Sequence, residues 1–401
     1  MKILVVCQYY YPEPFRISDI CEELVKNGNE VTVLKGIPNY PEGIIYEGYS
    51  NGDKREEDIN GVHVIRSYTI PRKKGAFYRL LNYYSYVISS SLKVLFNNVK
   101  AADGSEFDVV FVNQLSPVMM AYAGMLYKWK HNKKLVLYCL DLWPESLAAG
   151  GINKDSLIYK LFDRISGQIY KNCDQILVTS KSFIGYLSQK FNISESRFTY
   201  LPQYAEDLFE NMSGKAEVKE TIDFVFAGNI GTLQSVDTII EAAEILKNNK
   251  HLLFHIVGGG IELARLQDQV KEKNLENVIF YGRRPVEEMP KFYSMADAMI
   301  VTLTGDPLLS LTLPGKVQSY MAAGKAIMGA IDGETKTIVE EAQCGFICES
   351  GDSKALAENI LKFCKLGNED RKQMEINSRN YYKNKFSKNN FVKFLEDKLK
   401  T

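Results

Sequence analysis

Short apolar runs of strand type alternate with amphipathic runs along most of the chain, which is the pattern of alternating strands and helices. Residues 2–7 form the first apolar run, and a helical pattern over 17–26 ends at Asn27-Gly28, a glycine suited to a left-handed helix cap. Residues 30–34 follow as a second strand. Strand, helix and strand within about 35 residues make a βαβ unit, and such units build parallel sheets. Further strands are expected at 62–65, 108–112, 134–138 and 175–179. Near 200–203 the rhythm pauses, and the polar stretch 207–220 reads as a linker. A second set of strands is expected at 223–227, 253–257, 278–281, 298–302 and 326–330. A turn-rich break near 367–370 precedes two helical segments, the last near 389–400.

This predicts an α/β protein with two Rossmann-like domains, 1–203 and 204–375. A terminal helical segment, 376–401, is expected to cross back to the first domain. Ligands of such open sheets bind outside the carboxyl ends of the strands. Two facing sheets would surround one crevice, an arrangement suited to a two-substrate transfer from which water is excluded.

Composition narrows the class. A chain of 401 residues that is 45% hydrophobic and 24% charged is globular. Lysine plus arginine equals aspartate plus glutamate at 49 each, so net charge gives no reason to expect nucleic acid as a partner. The seven cysteines are scattered through apolar runs and read as reduced thiols. No secretory leader and no membrane-spanning stretch is expected, so the protein is placed in the cytoplasm. His63, His131, His251 and His255 read as structural.

Four strand-end loops carry candidate anion chemistry. The first, 226–237, holds Gly228, Asn229, Gly231 and Gln234; it is either a phosphate-binding turn or an ordinary strand-to-helix turn. The second has three consecutive glycines, beginning at Gly258. The third places Arg283 and Arg284 side by side, of which one suits a diphosphate and the other solvent. The fourth, 311–324, leads through Thr312 and Leu313 into a short helix with Lys316 in its first turn and Ser319 beyond. A lysine is unfavourable at a helix start unless an anion is held there.

The segments 11–16, 38–43, 141–146, 227–231, 282–285 and 313–321 together resemble family-4 retaining glycosyltransferases of the GT-B fold. The branch they resemble contains O-antigen and capsule enzymes of the fucosamine-transferase type. The resemblance spans nearly the whole chain. It implies a GT-B architecture, two Rossmann-like domains facing across a cleft, and transfer of a sugar from a nucleotide diphosphate, expected to be UDP. The expected acceptor is a lipid-linked saccharide of a surface polysaccharide. It also implies front-face attack without a protein nucleophile, and neither cofactor nor metal is expected. The chain departs from the wider family at two places. The usual arginine and lysine of the diphosphate clamp fall on Asn229 and Gln234, and the usual pair of glutamates falls on Leu311 and Ser319. Arg283, Arg284 and Lys316 are the candidate replacement cations, and Asp306 is the candidate replacement for the first glutamate.

On the first domain Asp141 is the leading candidate to accept the acceptor's proton, with the alternative of capping the next helix. Glu13 is a second candidate, with the alternative of a loop-bracing ion pair. Phe15, Arg16 and Glu145 are expected to contact the acceptor. Residues 66–100 mix basic and aromatic side chains, including Arg66, Arg72, Lys73, Lys74, Arg79 and Lys93. Such a segment suits contact with an anionic membrane, and the alternative is a core helix beside a solvated basic loop. The protein is thus expected on the inner face of the cytoplasmic membrane. A nucleotide-sugar epimerase or a non-catalytic nucleotide-binding subunit of the same fold stays open as the alternative function.

Overall fold

The computed structural model describes residues 1–96, 99–149, 151–210, 212 and 219–400. Part of the stretch read as a linker, 211 and 213–218, and two residues of the basic segment, 97–98, lie outside it. The chain divides into two compact units, Met1–Leu201 with Val392–Thr401, and Pro202–Phe391.

The first unit is built on β1 (Lys2–Val6), β2 (Glu30–Gly36), β3 (Glu56–Ile59), β4 (Val62–Ser67), β5 (Val109–Gln114), β6 (Lys134–Cys139), β7 (Gln175–Val178) and β8 (Phe198–Tyr200). They form one sheet in the order β3-β4-β2-β1-β5-β6-β7-β8. All neighbours are parallel except β3, which runs antiparallel to β4. The central strands are buried on both faces, as continuous apolar runs such as Ile3-Leu4-Val5-Val6 require. Within this unit the terminal helical segment is fastened by Glu396, which accepts from Asn27 and Asn29, and by Lys134 Nζ, which donates to the Lys398 carbonyl at 2.6 Å.

The second unit is built on β9 (Ile222–Ala227), β10 (Leu252–Val257), β11 (Val278–Gly282), β12 (Ala298–Thr302), β13 (Ala326–Ala330) and β14 (Gly345–Cys348). The order is β11-β10-β9-β12-β13-β14, all parallel. The strand order reverses between β9 and β12, and loops after those two strands flank the natural ligand position of such a sheet.

Three strands were not read from the sequence. β3 is an edge strand of mostly exposed, charged residues, β8 is three residues long, and β14 is a half-buried edge. The polar stretch also holds a short helix, Asp207–Glu210, because Phe209 is buried against Tyr293 with ring centroids 4.6 Å apart. Helix Asn368–Lys385 falls in the second unit, so the chain returns to the first unit only at Val392.

Candidate functional site

In the second unit the loops after β9 and β10 interlock. The Gly228 N–H donates to the Val257 carbonyl at 2.9 Å, the Ile230 N–H to Gly259 at 2.9 Å, and the Gly258 N–H to Gly282 at 3.0 Å. A Cβ at Gly258 would lie 1.8 Å from the Gly228 carbonyl oxygen, and one at Gly260 would lie 2.1 Å from that of Ile230. These two glycines are therefore needed for loop-on-loop packing, and the amides of Gly228, Ile230 and Gly258 are already bonded.

Gly228 has a different role. With φ +147°, its absent Cβ leaves room for Lys316, whose Nζ would be 2.9 Å from that position. Lys316 rises from the first turn of helix Gly315–Ala322. The helix is pinned to the end of β9 by the Tyr320 hydroxyl, which donates to the Ala227 carbonyl and accepts from its N–H. The ammonium is fully buried, lies 4.0 Å from the centroid of the Phe226 ring and has no hydrogen-bond partner among the described residues. Burial alone pulls its pKa down to about 7. A buried cation with no partner among the described residues is costly unless an anion arrives.

Asn229 and Gln234 bond one another. Gln234 Oε1 accepts from Asn229 Nδ2 at 2.9 Å and from the Gly231 N–H at 3.2 Å. The pair braces the turn and contributes no charge. Arg283 is exposed beside Gly259, with its Cβ 3.3 Å from where a Gly259 Cβ would stand. Arg284 is spent on its own turn, donating to the Tyr281 carbonyl and lying 3.9 Å from Glu288. Of the two arginines, Arg283 is the one left for a ligand.

The fourth loop divides likewise. The Thr312 hydroxyl donates to the Leu309 carbonyl and Leu313 is buried in the core. Asp306 Oδ1 accepts from the amides of Leu308 and Leu309, so it caps a turn. Ser319 Oγ lies 3.3 Å from a carboxylate that the sequence reading missed, Glu206. Glu206 stands just after the domain boundary, where no motif marks it. A second unanticipated carboxylate is Glu334, buried at the start of helix Glu334–Ala342. The preceding Gly333 has φ +75°, and a Cβ there would meet the Ser310 carbonyl at 1.8 Å, so the loops after β12 and β13 touch.

In the first unit Asp141 follows β6. Its Oδ2 accepts from the Ser116 hydroxyl at 3.0 Å, and Ser116 Oγ in turn accepts from Trp143 Nε1 at 2.8 Å. Burial raises the Asp141 pKa, opposed by the bonds from Ser116. It does not cap helix Glu145–Ala149, because its hydrogen bonds go to Ser116 after β5. Asp141 is also among the charges that raise the pKa of Tyr83, after burial, which places the two in one neighbourhood. Arg72 lies over the rings of Tyr83 and Tyr40, at 5.9 and 5.5 Å. Tyr40 belongs to an aromatic trio with Tyr9 and Phe15, the last two stacked at 4.9 Å. Phe15 thus joins a half-open aromatic surface, and Arg16 stands at the start of helix Ile17–Lys26.

Glu13 and Glu145 are placed differently. Glu13 is buried, with Oε1 accepting from the amides of Asn39 and Tyr40 and Oε2 from Lys35 Nζ at 3.1 Å. It ties the loop after β1 to strand β2 and to the loop that follows it, and both its oxygens are engaged. Glu145 accepts from Tyr159, Tyr186 and Lys190 through Oε1, and its Oε2 is buried, so it sits inside a structural cluster.

Helix Ala76–Phe96 contains no acidic residue. Its inner face buries Asn82, Tyr86, Ser90 and Val94. Its outer face exposes Phe77, Leu80, Tyr84, Ile88, Leu92 and Phe96, spaced three or four residues apart along one side, with Phe96 76% accessible. Lys73, Lys74 and Arg79 are exposed at one end. No helix among the described residues is long and apolar enough to cross a membrane.

Residues 16–203 match the family described as Glycosyltransferase Family 4, and residues 209–381 match Glycosyl transferases group 1. WbjE of Pseudomonas aeruginosa, described as a glycosyltransferase, is 27% identical over 67% of this chain and 69% of its own. WcaI of Escherichia coli K12, described as a colanic acid biosynthesis glycosyl transferase, is 26% identical over 81% of this chain and 82% of its own. Among solved structures, sucrose-phosphate synthase from Thermosynechococcus elongatus aligns over 99% of this chain and 97% of its own, with TM-score 0.74 and 14% identity. HepE from Anabaena, in complex with UDP and glucose, aligns over 100% of both chains with TM-score 0.70 and 15% identity. Neither relative nor neighbour gives particular support to a fucosamine-type branch. Two Rossmann-like units, each with a largely parallel sheet, and these matches over both halves make the protein a glycosyltransferase of the GT-B type.

Proposed function

We propose that the protein is a retaining transferase that moves a hexosyl or acetamidodeoxyhexosyl group from a UDP-sugar to a lipid-linked saccharide in surface polysaccharide synthesis. The observation that carries this reading is the buried ammonium of Lys316 beside Gly228, which has no hydrogen-bond partner among the described residues. It stands where the strand order of the second sheet reverses, and a pyrophosphate is the anion that such a sheet edge suits. Exposed Arg283 supplies a second cation. HepE, described in complex with UDP-glucose, supports UDP as the nucleotide.

Bond breaking at the anomeric carbon leaves negative charge on the diphosphate. Lys316, already desolvated, stabilises that charge with little reorganisation. On the first unit Asp141 receives the acceptor hydroxyl proton, and the surface of Tyr9, Phe15 and Tyr40 stacks on an acceptor sugar ring. The reading requires no metal. The exposed apolar row of helix Ala76–Phe96 and its basic end support a reading of peripheral attachment to the inner membrane face.

The test is calorimetric titration with UDP, ADP, GDP and UDP-sugars, then transfer to a lipid-linked acceptor with and without chelator. Saturable UDP binding, lost in K316M, and chelator-insensitive transfer with retained anomeric configuration are expected. Equal UDP affinity in K316M and the native protein would overturn the reading.

A further inference from the structure

The first unit holds a cavity of about 850 Å³ that the reaction described above does not use. It opens at the carboxyl ends of β2 and β4, the strands that finish at Gly36 and Ser67. One part of its wall is apolar: Ile37, Ile45, Tyr68, Pro71, Leu92 and Phe96. Another part is basic, with Arg55, Arg66 and Lys93, and one carboxylate, Asp53.

Two features mark it as a built site. First, Arg66 Nε and Ser67 Oγ belong to residues only 4% and 2% accessible, and neither atom has a hydrogen-bond partner among the described residues. Arg66 donates from Nη1 to the Lys54 carbonyl and from Nη2 to Glu57, and its guanidinium lies over Tyr49. Buried donors left unmet are rare because each costs about 1–3 kcal/mol. Second, Lys93 and Arg55 both line the cavity, so two cations share it. Burial draws the Lys93 pKa down, Glu56 opposes that shift and Arg55 adds to it. Among the described residues Lys93 Nζ donates to one carbonyl, that of Arg66, at 3.1 Å.

The cavity is continuous with the apolar row of helix Ala76–Phe96, because Leu92 and Phe96 belong to both. An occupant with a charged head and a hydrocarbon tail fits that continuity. A soluble sugar phosphate would leave the apolar wall unused, and a plain hydrocarbon would leave the cations unmet.

We propose that this cavity seats a phosphate-bearing lipid, its phosphate at Arg55, Arg66 and Lys93 and its chain running out over Leu92 and Phe96. The proposal rests on the reading of the acceptor as lipid-linked. It makes the first unit's outer β2–β4 edge the anchor for the lipid part of that substrate or for a membrane phospholipid.

The experiment uses the full chain. Farnesyl phosphate, below its micelle concentration, is titrated by calorimetry beside farnesol and inorganic phosphate. Dihexanoyl phosphatidylglycerol serves as the phospholipid arm. Saturable binding of farnesyl phosphate or the phospholipid is expected, and the tighter of the two identifies the source. Inorganic phosphate should not bind, and farnesol should bind about tenfold more weakly, which equals the loss of one charge-assisted contact of ~1.4 kcal/mol. Two independent variants, the cavity-filling S89F and the charge-reversed R55E/K93E, should each weaken the lipid phosphate about tenfold or more. UDP affinity, measured on the same samples, should stay unchanged. Failure of both lipids to bind, equal binding of farnesol, or unchanged binding in both variants overturns the inference. If UDP binds while both lipids fail, only this inference falls; if UDP itself fails, the reading of the function falls.

Discussion

The Lys316 ammonium lies 4.0 Å from the centroid of the Phe226 ring, and among the described residues it has no hydrogen-bond partner. The relationship has a thermodynamic consequence. In the unfolded chain Lys316 binds a proton up to its ordinary pKa of 10.5, whereas in the folded, empty protein it loses it near 7. Between those values the unfolded state holds more protons, so stability rises with pH across that window and is lowest below it. Replacing Lys316 by Met removes a buried charge of similar volume. K316M should melt higher than the native protein at pH 6.5, by on the order of 1 kcal/mol or more, while losing about a hundredfold in UDP affinity. Thermal melts with and without UDP check both halves; a lower melting temperature for the empty variant would contradict the burial argument.

Donor binding should also take up a proton. A diphosphate beside Lys316 favours the charged form, so the pKa of about 7 rises when the ligand enters. At pH 8 the empty site is largely neutral and the filled one is charged. Calorimetry of UDP binding at pH 8 in two buffers of different ionisation enthalpy should therefore report net uptake approaching one proton per site. Uptake should fall towards zero by pH 6. Equal heats in both buffers at pH 8 would rule the coupling out.

Asp141 gives a prediction of rate. Its pKa is raised by burial and held back by Ser116. Only the ionised carboxylate accepts a proton, so activity should fall on the acid side at a pH above the usual aspartate value. S116A removes an opposing hydrogen bond and should move that acid limb to higher pH. D141N should lower kcat by about 10²–10⁴ and leave the donor KM little changed. A pH profile that does not move in S116A would assign the limb to another group.

Glu13 should behave as structure. Its side chain and that of Lys35 are both fully buried, with 3.1 Å between charges. Breaking such a pair strands the partner and costs roughly 3–5 kcal/mol. E13Q should lower the urea midpoint strongly, and E13Q/K35M should recover much of the loss, while the folded fraction keeps its kcat. Unchanged stability with a collapsed kcat would instead return Glu13 to the proton-transfer role.

The periodicity of the chain carried the architecture further than the site. Runs such as Ile3-Leu4-Val5-Val6 and Phe224-Val225-Phe226 are buried on both faces, so their burial is written directly in their composition. Edge strands lack that signature: β3 is Glu-Glu-Asp-Ile, which reads as a loop until it pairs with β4. The placement of Lys316 in the first turn of a helix was legible, and a cation there stands out because it opposes the helix dipole. The tight loop packing at Gly258 was not, since a glycine needed for backbone packing and one needed for ligand approach look alike in sequence. Glu206 and the pairing of Asn229 with Gln234 were invisible, because each depends on contacts that local patterning does not encode.

The outer face of helix Ala76–Phe96 yields the last prediction. A soluble surface seldom keeps six large apolar residues in a row without a partner. Phe77 is 68% and Ile88 56% accessible, and exposed Lys73, Lys74 and Arg79 flank the row's start. Attachment to an anionic bilayer then has two separable parts. The electrostatic part, about 1 kcal/mol per basic residue near the surface, weakens as salt screens it. The apolar part persists at high salt. On phosphatidylglycerol vesicles, K73E/K74E/R79E should lose most binding at low salt and lose its salt dependence. F77E/I88E should keep weak, salt-sensitive binding and lose the salt-resistant remainder. Both variants should retain native UDP affinity, since the mutated helix lies in the first unit and Lys316 in the second. Sedimentation with vesicles across a salt series separates the two outcomes, and native-like retention in both variants would remove this face as the membrane contact.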